Sequence, residues 1–572
     1  MDKKQVAHVL EEIGKLLELK GENPFKARAF YGGARIVETL TEDLNQLVDS
    51  GQLEEIKGIG KSLAEQIREL VVEGRSSAYE ELRNEFPPGV LEMLAIPGLG
   101  PKKVGTLYRE LGISNPGELE YACRENRLLT LPGFGAKSQA NILAAIEKRR
   151  EYAGRWRWAE ANVIGFDLLA ELRLLPQVKR AEMAGSWRRL LEVVKDLDLV
   201  VELAPGTDWQ QFRAALEQLS LVKAVSSGGE NKLTLELMSG INCDLRLAKG
   251  EEFAWTWLHF TGSKEHNTLL RQRAKKQGLK LNEYGLFQEE KPVAAATSER
   301  EAYAALGLPY IPPELREGLG EIEVAEKGQL PELVNLSDLK GVWHVHTNYS
   351  DGIHTLADMA EAARRLGWKF LGIADHSRSA YYAHGLSLED IQRQQREIDV
   401  LNRKWQEEGI DFRLLKGIEV DILPDGGLDY PDEVLASFDF VIASVHSGFK
   451  QDEKLMTRRL LRALEHPAVT MLGHPTGRLL LARPGYPVDL EEILQAASRY
   501  GKAIELNANP YRLDLDWRWC RRARELGVKI AINPDAHRRE ELGYVIYGVN
   551  IARKGWLTAK DVLNSQIPPW KS

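Results

Sequence analysis

Beyond residue 340 the chain repeats one pattern: a short apolar run, a polar residue, a loop, and a stretch whose apolar positions recur every three or four residues. The runs lie near 342–346, 370–375, 414–420, 438–445, 468–473, 502–507 and 528–533, with amphipathic stretches such as 356–366 and 490–500 between them. Short apolar runs predict buried strands and the longer periodicity predicts helices. Their alternation predicts a parallel β/α barrel of seven strands, with functional side chains at the strands' C-terminal ends. Upstream, 195–203 reads as a strand, and 233–237 with 241–247 as a hairpin. The first third carries helix patterns only, and 321–338 reads as a polar linker.

The polar residues that end the barrel strands are not a random selection. They are His344 and His346 in Trp-His-Val-His, then Asp351, His376, Glu419, His446, His474, Asp535 and His537. Nine of the 12 histidines lie beyond residue 340. A lone histidine at a strand end is usually a hydrogen-bonded loop residue, and His384 and His466 are left in that class. Strand period two, however, aims His344 and His346 the same way. Imidazoles and carboxylates converging on one mouth suit Zn²⁺, Mn²⁺ or Fe better than an all-oxygen magnesium cage. Arg378 and Arg512 follow strand ends and are candidate phosphate contacts.

In the first third a glycine turn recurs in one phase. Gly58-Ile-Gly60, Gly98-Leu-Gly100 and Gly133-Phe-Gly135 each precede a helix start with a nearby lysine. Glycine permits positive φ and close backbone approach, and a helix start offers unpaired N–H groups to an anion. Three copies in phase favour a phosphate grip over plain tight turns. The basic residues Lys148, Arg149, Arg150, Arg155 and Arg157, with Trp156 and Trp158, add a local positive stretch.

In the middle, Lys-Asp-Leu-Asp-Leu-Val places Asp196 and Asp198 on one strand face. Paired carboxylates repel unless a cation lies between them, and Asp244 in the hairpin completes a two-metal triad. Gly185-Ser186-Trp187-Arg188-Arg189 offers backbone, hydroxyl and guanidinium groups to a triphosphate.

Composition changes this picture little. At 572 residues the chain holds several domains, with 43% hydrophobic and 28% charged residues. Its three cysteines are scattered, so a disulfide framework or zinc ribbon is not expected. The net charge of −8 neither supports nor excludes nucleic-acid binding, which depends on local patches. No signal peptide or spanning run is found, so a cytoplasmic protein without a membrane partner is expected.

Gly-Ser-x-Arg-Arg, the Asp196–Asp198 pair, the distant Asp244 and the segment His259-Phe260-Thr261-Gly262-Ser263-Lys264-Glu265-His266-Asn267 together resemble the X-family DNA polymerases. The C-terminal ligand set resembles the PHP (polymerase and histidinol phosphatase) domain. The order of the two, over nearly the whole chain, is similar to the bacterial polymerases of this family. The resemblance implies a fold with helix-hairpin-helix domains at 1–85 and 86–150 (the fingers). A nucleotidyltransferase palm at 151–247, a thumb at 248–320 and a distorted seven-stranded PHP barrel at 339–572 follow, with the linker at 321–338. It implies Mg²⁺ on Asp196, Asp198 and Asp244, with Asp244 helping to deprotonate the primer 3′-hydroxyl. Gly185, Ser186 and Arg189 would hold the dNTP phosphates, Phe260 and Gly262 the sugar, Asn267 the base edge, and Lys264 the nucleotide or template. It implies three ions, zinc or manganese, at the nine barrel residues.

The chain departs from the family at Leu190 and Leu191, where bacterial relatives carry basic residues, and at Lys195, where they carry glycine. Aligned through the first glycine turn, Gln66 replaces the lysine that gives vertebrate members lyase activity. The expected function is DNA repair: gap-filling synthesis from dNTPs on gapped or nicked DNA, plus metal-dependent 3′→5′ exonuclease or 3′-end and abasic-site phosphodiesterase activity, by a monomer. Two alternatives stay open. One is a nuclease that keeps an inactive polymerase core as a DNA-binding scaffold, which the three departures favour. The other is a small-molecule phosphatase of the histidinol phosphatase kind, which the three glycine turns disfavour.

Overall fold

The structure is a computed structural model that describes residues 1, 3–40, 42–150, 154–227 and 231–568. The side chains of Lys148, Arg149 and Arg150 lie outside the described residues. The chain divides into two compact units, Met1–Arg149 and Arg150–Ser572.

The first unit is helical. Asparagine caps start two of its helices: Asn23 accepts from Phe25 N, and Asn115 from Glu118 N, each with proline at the next position. Helix Lys3–Lys20 serves two cores. Leu10, Ile13 and Leu17 pack with Ile59, Leu63 and Ile67, whereas Leu16 and Leu19 pack with Val104, Leu107 and Ile142. The three glycine turns are copies of one another. Gly58, Gly98 and Gly133 have φ of 101°, 87° and 83°. The following residue turns inward in each case, Ile59, Leu99 or Phe134, and donates to the carbonyl three residues back.

The second unit opens on a five-stranded sheet in the order Val178–Met183, Leu197–Leu203, Asn242–Leu247, Lys232–Leu237, Val222–Ser227. Its second and third strands are parallel and every other pairing is antiparallel. Helices Trp158–Leu174 and Trp209–Leu216 cover one face through Leu168, Leu172, Phe212 and Leu216. Helices Phe253–Thr261, Lys264–Lys276 and Glu299–Ala305 and a three-stranded sheet follow.

The segment expected to be a polar linker is instead packed. Helix Glu321–Glu326 puts Ile322 and Ala325 into the core of the preceding helices, and Val334 and Leu339 join the barrel core. Glu321 is buried, paired with His266 Nδ1 at 2.6 Å and accepting from Gly318 N and Leu319 N. Its acidic residues suggested solvent, but one of them closes a buried hydrogen-bond network.

Arg188, Glu299 and Arg316 form a second buried network in this unit. Glu299 accepts from Arg188 Nη2 at 2.6 Å and from Arg316 Nη1 at 2.7 Å. Burial alone would raise the Glu299 pKa, but the Arg316 and Arg188 charges outweigh it and hold it at about 2. A depressed carboxyl stabilises the fold above its ordinary value near 4.5, and that contribution is lost as pH falls towards 2. Glu299→Gln is expected to cost about 3 kcal/mol at neutral pH, because the buried Arg316 and the half-buried Arg188 guanidiniums lose their counter-charge. Calorimetry should show a lower melting temperature for the variant at pH 7 and a difference that shrinks below about pH 4.

The barrel has seven parallel strands in chain order: Gly341–Val342, Phe370–Ile373, Arg413–Asp421, Phe440–Ser444, Met471–Leu472, Ala503–Asn507 and Ile530–Asn533. A parallel bridge between Val345 and Ala536 sets the first strand beside the last. Trp343, Phe370, Leu415, Phe440, Met471, Ala503 and Ala531 form a cluster contributed from, or next to, every strand. Gly417 makes room for it: a Cβ there would lie 2.0 Å from the Phe440 ring.

Candidate functional site

Two constellations of titratable groups lie in the second unit. The first is on the five-stranded sheet, where Asp198 and Asp244 are direct partners on adjacent parallel strands. Asp196 precedes its strand and lies close enough to raise the Asp198 pKa. Burial first, then Asp196 and Asp244, push Asp198 up to about 7. Burial and Asp244 raise Asp196, and the exposed Lys195 opposes them. Lys232, which the sequence reading missed, sets its ammonium 2.6 Å from Asp244 Oδ2. Three carboxylates, one of them costly to ionise and one paired with an ammonium, are oxygen donors of the kind that suit hard divalent ions, although they are not drawn together as closely as the groups of the barrel mouth.

Gly185 starts the short helix Gly185–Arg188 with φ of 61°, directly over Asp198. A Cβ at Gly185 would lie 1.9 Å from Asp198 Oδ2. Gly185→Ala is therefore expected to displace Asp198 and cost about 1–3 kcal/mol, read as a lowered melting temperature together with weaker Mn²⁺ binding at the triad.

Ser186 is partly exposed beside Gly185. Arg189 is engaged within the protein, Nη1 donating to Thr261 O at 2.5 Å and Nε to Glu317 at 3.1 Å. The Arg246 guanidinium lies 4.5 Å over the Phe260 ring. Gly262 has φ of 71° and approaches Arg189, Lys264 is exposed, and Asn267 donates to His259 O at 2.7 Å. Gln66 accepts from Ser76 Oγ at 2.8 Å.

Leu190 and Leu191 have a physical explanation. With Trp158, Pro510, Leu513 and Ile551 they line a small apolar cavity against the barrel. Arg157 is buried, 3.7 Å over Tyr511 and paired with Glu160, so it leaves the expected positive stretch. Arg155 is exposed.

In the first unit, a Cβ at Gly60, Gly98, Gly100, Gly133 or Gly135 would meet nothing, whereas one at Gly58 would strike Ile36. Gly60 and Gly100 begin helices whose first N–H groups have no side-chain cap. Such termini suit a phosphate oxygen.

The second constellation is at the barrel mouth, where all nine expected residues converge. His346, Asp351, His376 and His537 form one group, His344, His346 and Asp535 a second, and His376, Glu419 and His446 a third; within each, one ligand atom per residue lies within 4.8 Å of the others. Glu419 is central, with His376 Nδ1 at 2.9 Å, His474 Nε2 at 3.0 Å, His446 Nε2 at 3.3 Å and His344 Nε2 at 3.4 Å. Burial opposes ionisation of Glu419, but the imidazoles of His446, His344 and His376 hold its pKa well below the ordinary range. Burial would likewise lower His446, yet Glu419 and Asp421 push it up to about 10. His346 goes the other way, down to about 3, through burial and the charges of His537 and His376. His344 Nε2, His346 Nδ1 and Asp351 Oδ2 are buried and make no hydrogen bond. Buried donors that converge without hydrogen-bond partners fit divalent transition metals.

Several residues that orient this set were not found in the sequence. Glu505 meets His344 Nδ1 at 2.7 Å and accepts from His474 N at 2.7 Å. Asp421 holds His446 Nδ1, and Asn507 donates to Asp535 Oδ2 at 2.9 Å. Such partners fix imidazole tautomer and aim. Glu505 and Asn507 alternate along an apolar strand, a period-two signal that was available. Arg512 is buried with Nε 3.8 Å from Asp535, whereas Arg378 is exposed on the rim, 3.5 Å from Asp429. His384 is exposed and His466 pairs with Asp432. Among the described residues no helix is long and apolar enough to cross a membrane.

The chain matches a helix-hairpin-helix domain over residues 1–76, a SAM-like helix-hairpin-helix tandem over 90–148, the DNA polymerase beta thumb over 256–317 and the PHP domain over 343–509. It is 40% identical over 570 residues to DNA polymerase/3′-5′ exonuclease PolX of Bacillus subtilis (strain 168), covering 99% of this chain and 98% of that one. A probable phosphatase of Thermoanaerobacter sp. (strain X514) is 30% identical over 236 residues, 39% of this chain and 89% of its own. The crystal structure of Leishmania infantum polymerase beta in a ternary P/T complex is 21% identical over 40% of this chain and 99% of its own, with a TM-score of 0.26 that carries no weight for the fold.

Proposed function

Because the chain belongs to the bacterial X-family DNA polymerases that carry a C-terminal PHP domain, we propose that its two constellations are a polymerase centre and an exonuclease centre, which together fill gaps and trim 3′ ends in DNA repair. The reading rests on one observation: two separate donor sets on one chain, three carboxylates on a sheet, two of them partners on adjacent strands, and a barrel mouth where eight residues form three metal-sized groups and His474 meets Glu419 at 3.0 Å. Domain limits at 85, 150, 247, 320 and 338 divide the labour, with the packed segment 321–338 joining thumb to barrel.

At the sheet, Asp196, Asp198 and Asp244 hold Mg²⁺, and Asp244 helps to take the primer 3′-hydroxyl proton. Gly185, Ser186 and Arg189 receive the phosphates, Arg189 exchanging Glu317 for them. Phe260 and Gly262 line the sugar, Asn267 faces the base edge, and Lys264 contacts nucleotide or template. At the barrel, the nine residues hold three zinc or manganese ions, with Arg512 and Arg378 as phosphate contacts. Bound at either centre, divalent ions supply charge neutralisation and Lewis-acid activation of an oxygen nucleophile. The protein's own part is aim: Glu505, Asp421 and Asn507 fix ligand direction. The glycine pairs Gly58 and Gly60, Gly98 and Gly100, and Gly133 and Gly135 hold gapped or nicked DNA by its phosphates. The protein acts as a cytoplasmic monomer on DNA and dNTPs.

The rival scaffold reading loses its motive at Leu190 and Leu191, whose apolar character serves packing against the barrel. A 5′-labelled primer in gapped DNA with Mn²⁺ tests the proposal. It should lengthen with dNTPs and shorten without them; a primer that is unchanged in both reactions refutes it. Affinity for that DNA should fall at least tenfold between about 50 and 200 mM salt and depend little on sequence, because the hairpins meet phosphate rather than bases. A flat salt response in a filter-binding titration would count against the hairpins.

A further inference from the structure

Helix Val545–Lys554 packs on the barrel and ends against residues 314–317, the close of the thumb match. Arg553 Nε donates to Glu314 Oε1 at 2.8 Å, and its Nη1 to Val334 O at 3.0 Å. Lys554 beside it is fully buried, its ammonium 4.6 Å over the Trp517 ring. Its hydrogen bonds all leave the barrel, for Arg189 O at 3.0 Å, Glu314 O at 3.4 Å and Glu317 Oε1 at 2.5 Å. An ammonium has three donors, so each of them is committed. Burial pushes the Lys554 pKa down, and the Glu317 carboxylate opposes the shift. An apolar side chain of that length would meet a packing need at lower cost, so this lysine answers a need for charge.

Glu317 carries two cations on one oxygen, because Arg189 Nε also lies 3.1 Å from Oε1. The site is nearly closed to water: the Arg189 side chain is 12% exposed, that of Glu317 15% and that of Lys554 not at all. The carboxylate is held in place from both sides of its own chain. Arg316 before it is bound to Glu299, and Gly318 after it donates to Glu321. Arg189 in turn faces the nucleotide site. Its Nη1 donates to Thr261 O and would lie 3.0 Å from a Cβ on Gly262, and its charge lowers the Asp198 pKa. A triphosphate that takes this guanidinium as a partner must take it from Glu317. The loss leaves a largely buried carboxylate short of a counter-charge, which is costly unless another cation stays. Lys554 is already on that oxygen, and its bond to Arg189 O fixes the main chain from which the guanidinium turns.

We infer that Lys554, carried by the barrel, is a positioning residue of the nucleotide site: it keeps the Glu317 carboxylate neutralised when Arg189 turns from it to the dNTP phosphates. The inference rests on the assignment of Arg189 to those phosphates above, and it adds to the polymerase centre a residue from the hydrolytic domain. Without Lys554, Glu317 keeps Arg189 as its counter-charge and competes with the triphosphate for it. Affinity for dNTP then falls, while the carboxylate triad, and with it the rate once nucleotide is bound, stays as it was. Lys554 acts through Glu317 and Arg189 and takes no part in bond formation.

The test is single-turnover addition of dTTP to a one-nucleotide gap with Mn²⁺, which separates the apparent Kd of the nucleotide from the rate at saturation. It uses the full-length wild type, Lys554→Met, Glu317→Gln, the double variant Lys554→Met/Glu317→Gln and Arg189→Ala. Lys554→Met should raise the Kd about tenfold and change the saturating rate by less than about threefold. Removing the competing carboxylate as well, in the double variant, should bring the Kd back to the wild-type value or below. Glu317→Gln alone should lower the Kd about threefold, and it decides the matter if Lys554→Met does not fold. An unchanged Kd in Lys554→Met, a loss confined to the saturating rate, no rescue in the double variant, or a Kd that Glu317→Gln leaves unchanged or raises would each overturn the inference. A wild type that adds no dTTP, or an Arg189→Ala variant that binds it as the wild type does, would instead refute the reading of the nucleotide site on which the inference rests.

Discussion

Replacing Asp198 with alanine should lower nucleotide addition by about a thousandfold or more, while 3′→5′ shortening of the same DNA continues. Asp198 is the centre of the triad. It faces Asp244 across paired parallel strands, lies under Gly185, and has a pKa pushed up to about 7 by burial, Asp196 and Asp244. No other carboxylate on the sheet occupies its place, and moving it by an ångström misaligns both ion and phosphate. The barrel shares none of these atoms. Primer extension and primer degradation by one preparation, with circular dichroism to confirm folding, give the answer. Loss of both activities in a folded variant would show that the two centres are not separate.

Glu419→Gln should produce the opposite split, an exonuclease loss of similar size with extension preserved. Glu419 is buried and meets His344, His376, His446 and His474 within 3.4 Å. Glutamine keeps the volume but removes the charge that several ligands and any bridging cation require. The metal content of the purified variant, by mass spectrometry, should fall with its exonuclease rate. A variant that retains both would place the hydrolytic centre elsewhere.

Much of this arrangement is legible in the sequence because it is periodic. Seven apolar runs announce seven strands, and the residues that end them arrive at one mouth because parallel strands share a C-terminal edge. Asp196, Asp198 and Asp244 are legible for a similar reason, two lying in one strand pattern and the third in a hairpin. What escapes is set by tertiary contact. The acidic segment 321–338 reads as solvent-exposed, yet Glu321 is buried by a histidine 55 positions away. Leu190 and Leu191 read as a damaged phosphate site until the barrel surface they pack on is known. Lys232 and Asp421 are ordinary residues in their strands, and only the fold shows what they touch.

The central claim is that one chain carries two divalent-metal centres built from different residues. Anomalous diffraction from crystals of the full-length protein grown with Mn²⁺ tests it directly. The account predicts peaks among Asp196, Asp198 and Asp244, and three more at the barrel mouth around Glu419, His346 and Asp535. Absence of ions from either place at saturating Mn²⁺, or ions bound only elsewhere, would contradict it.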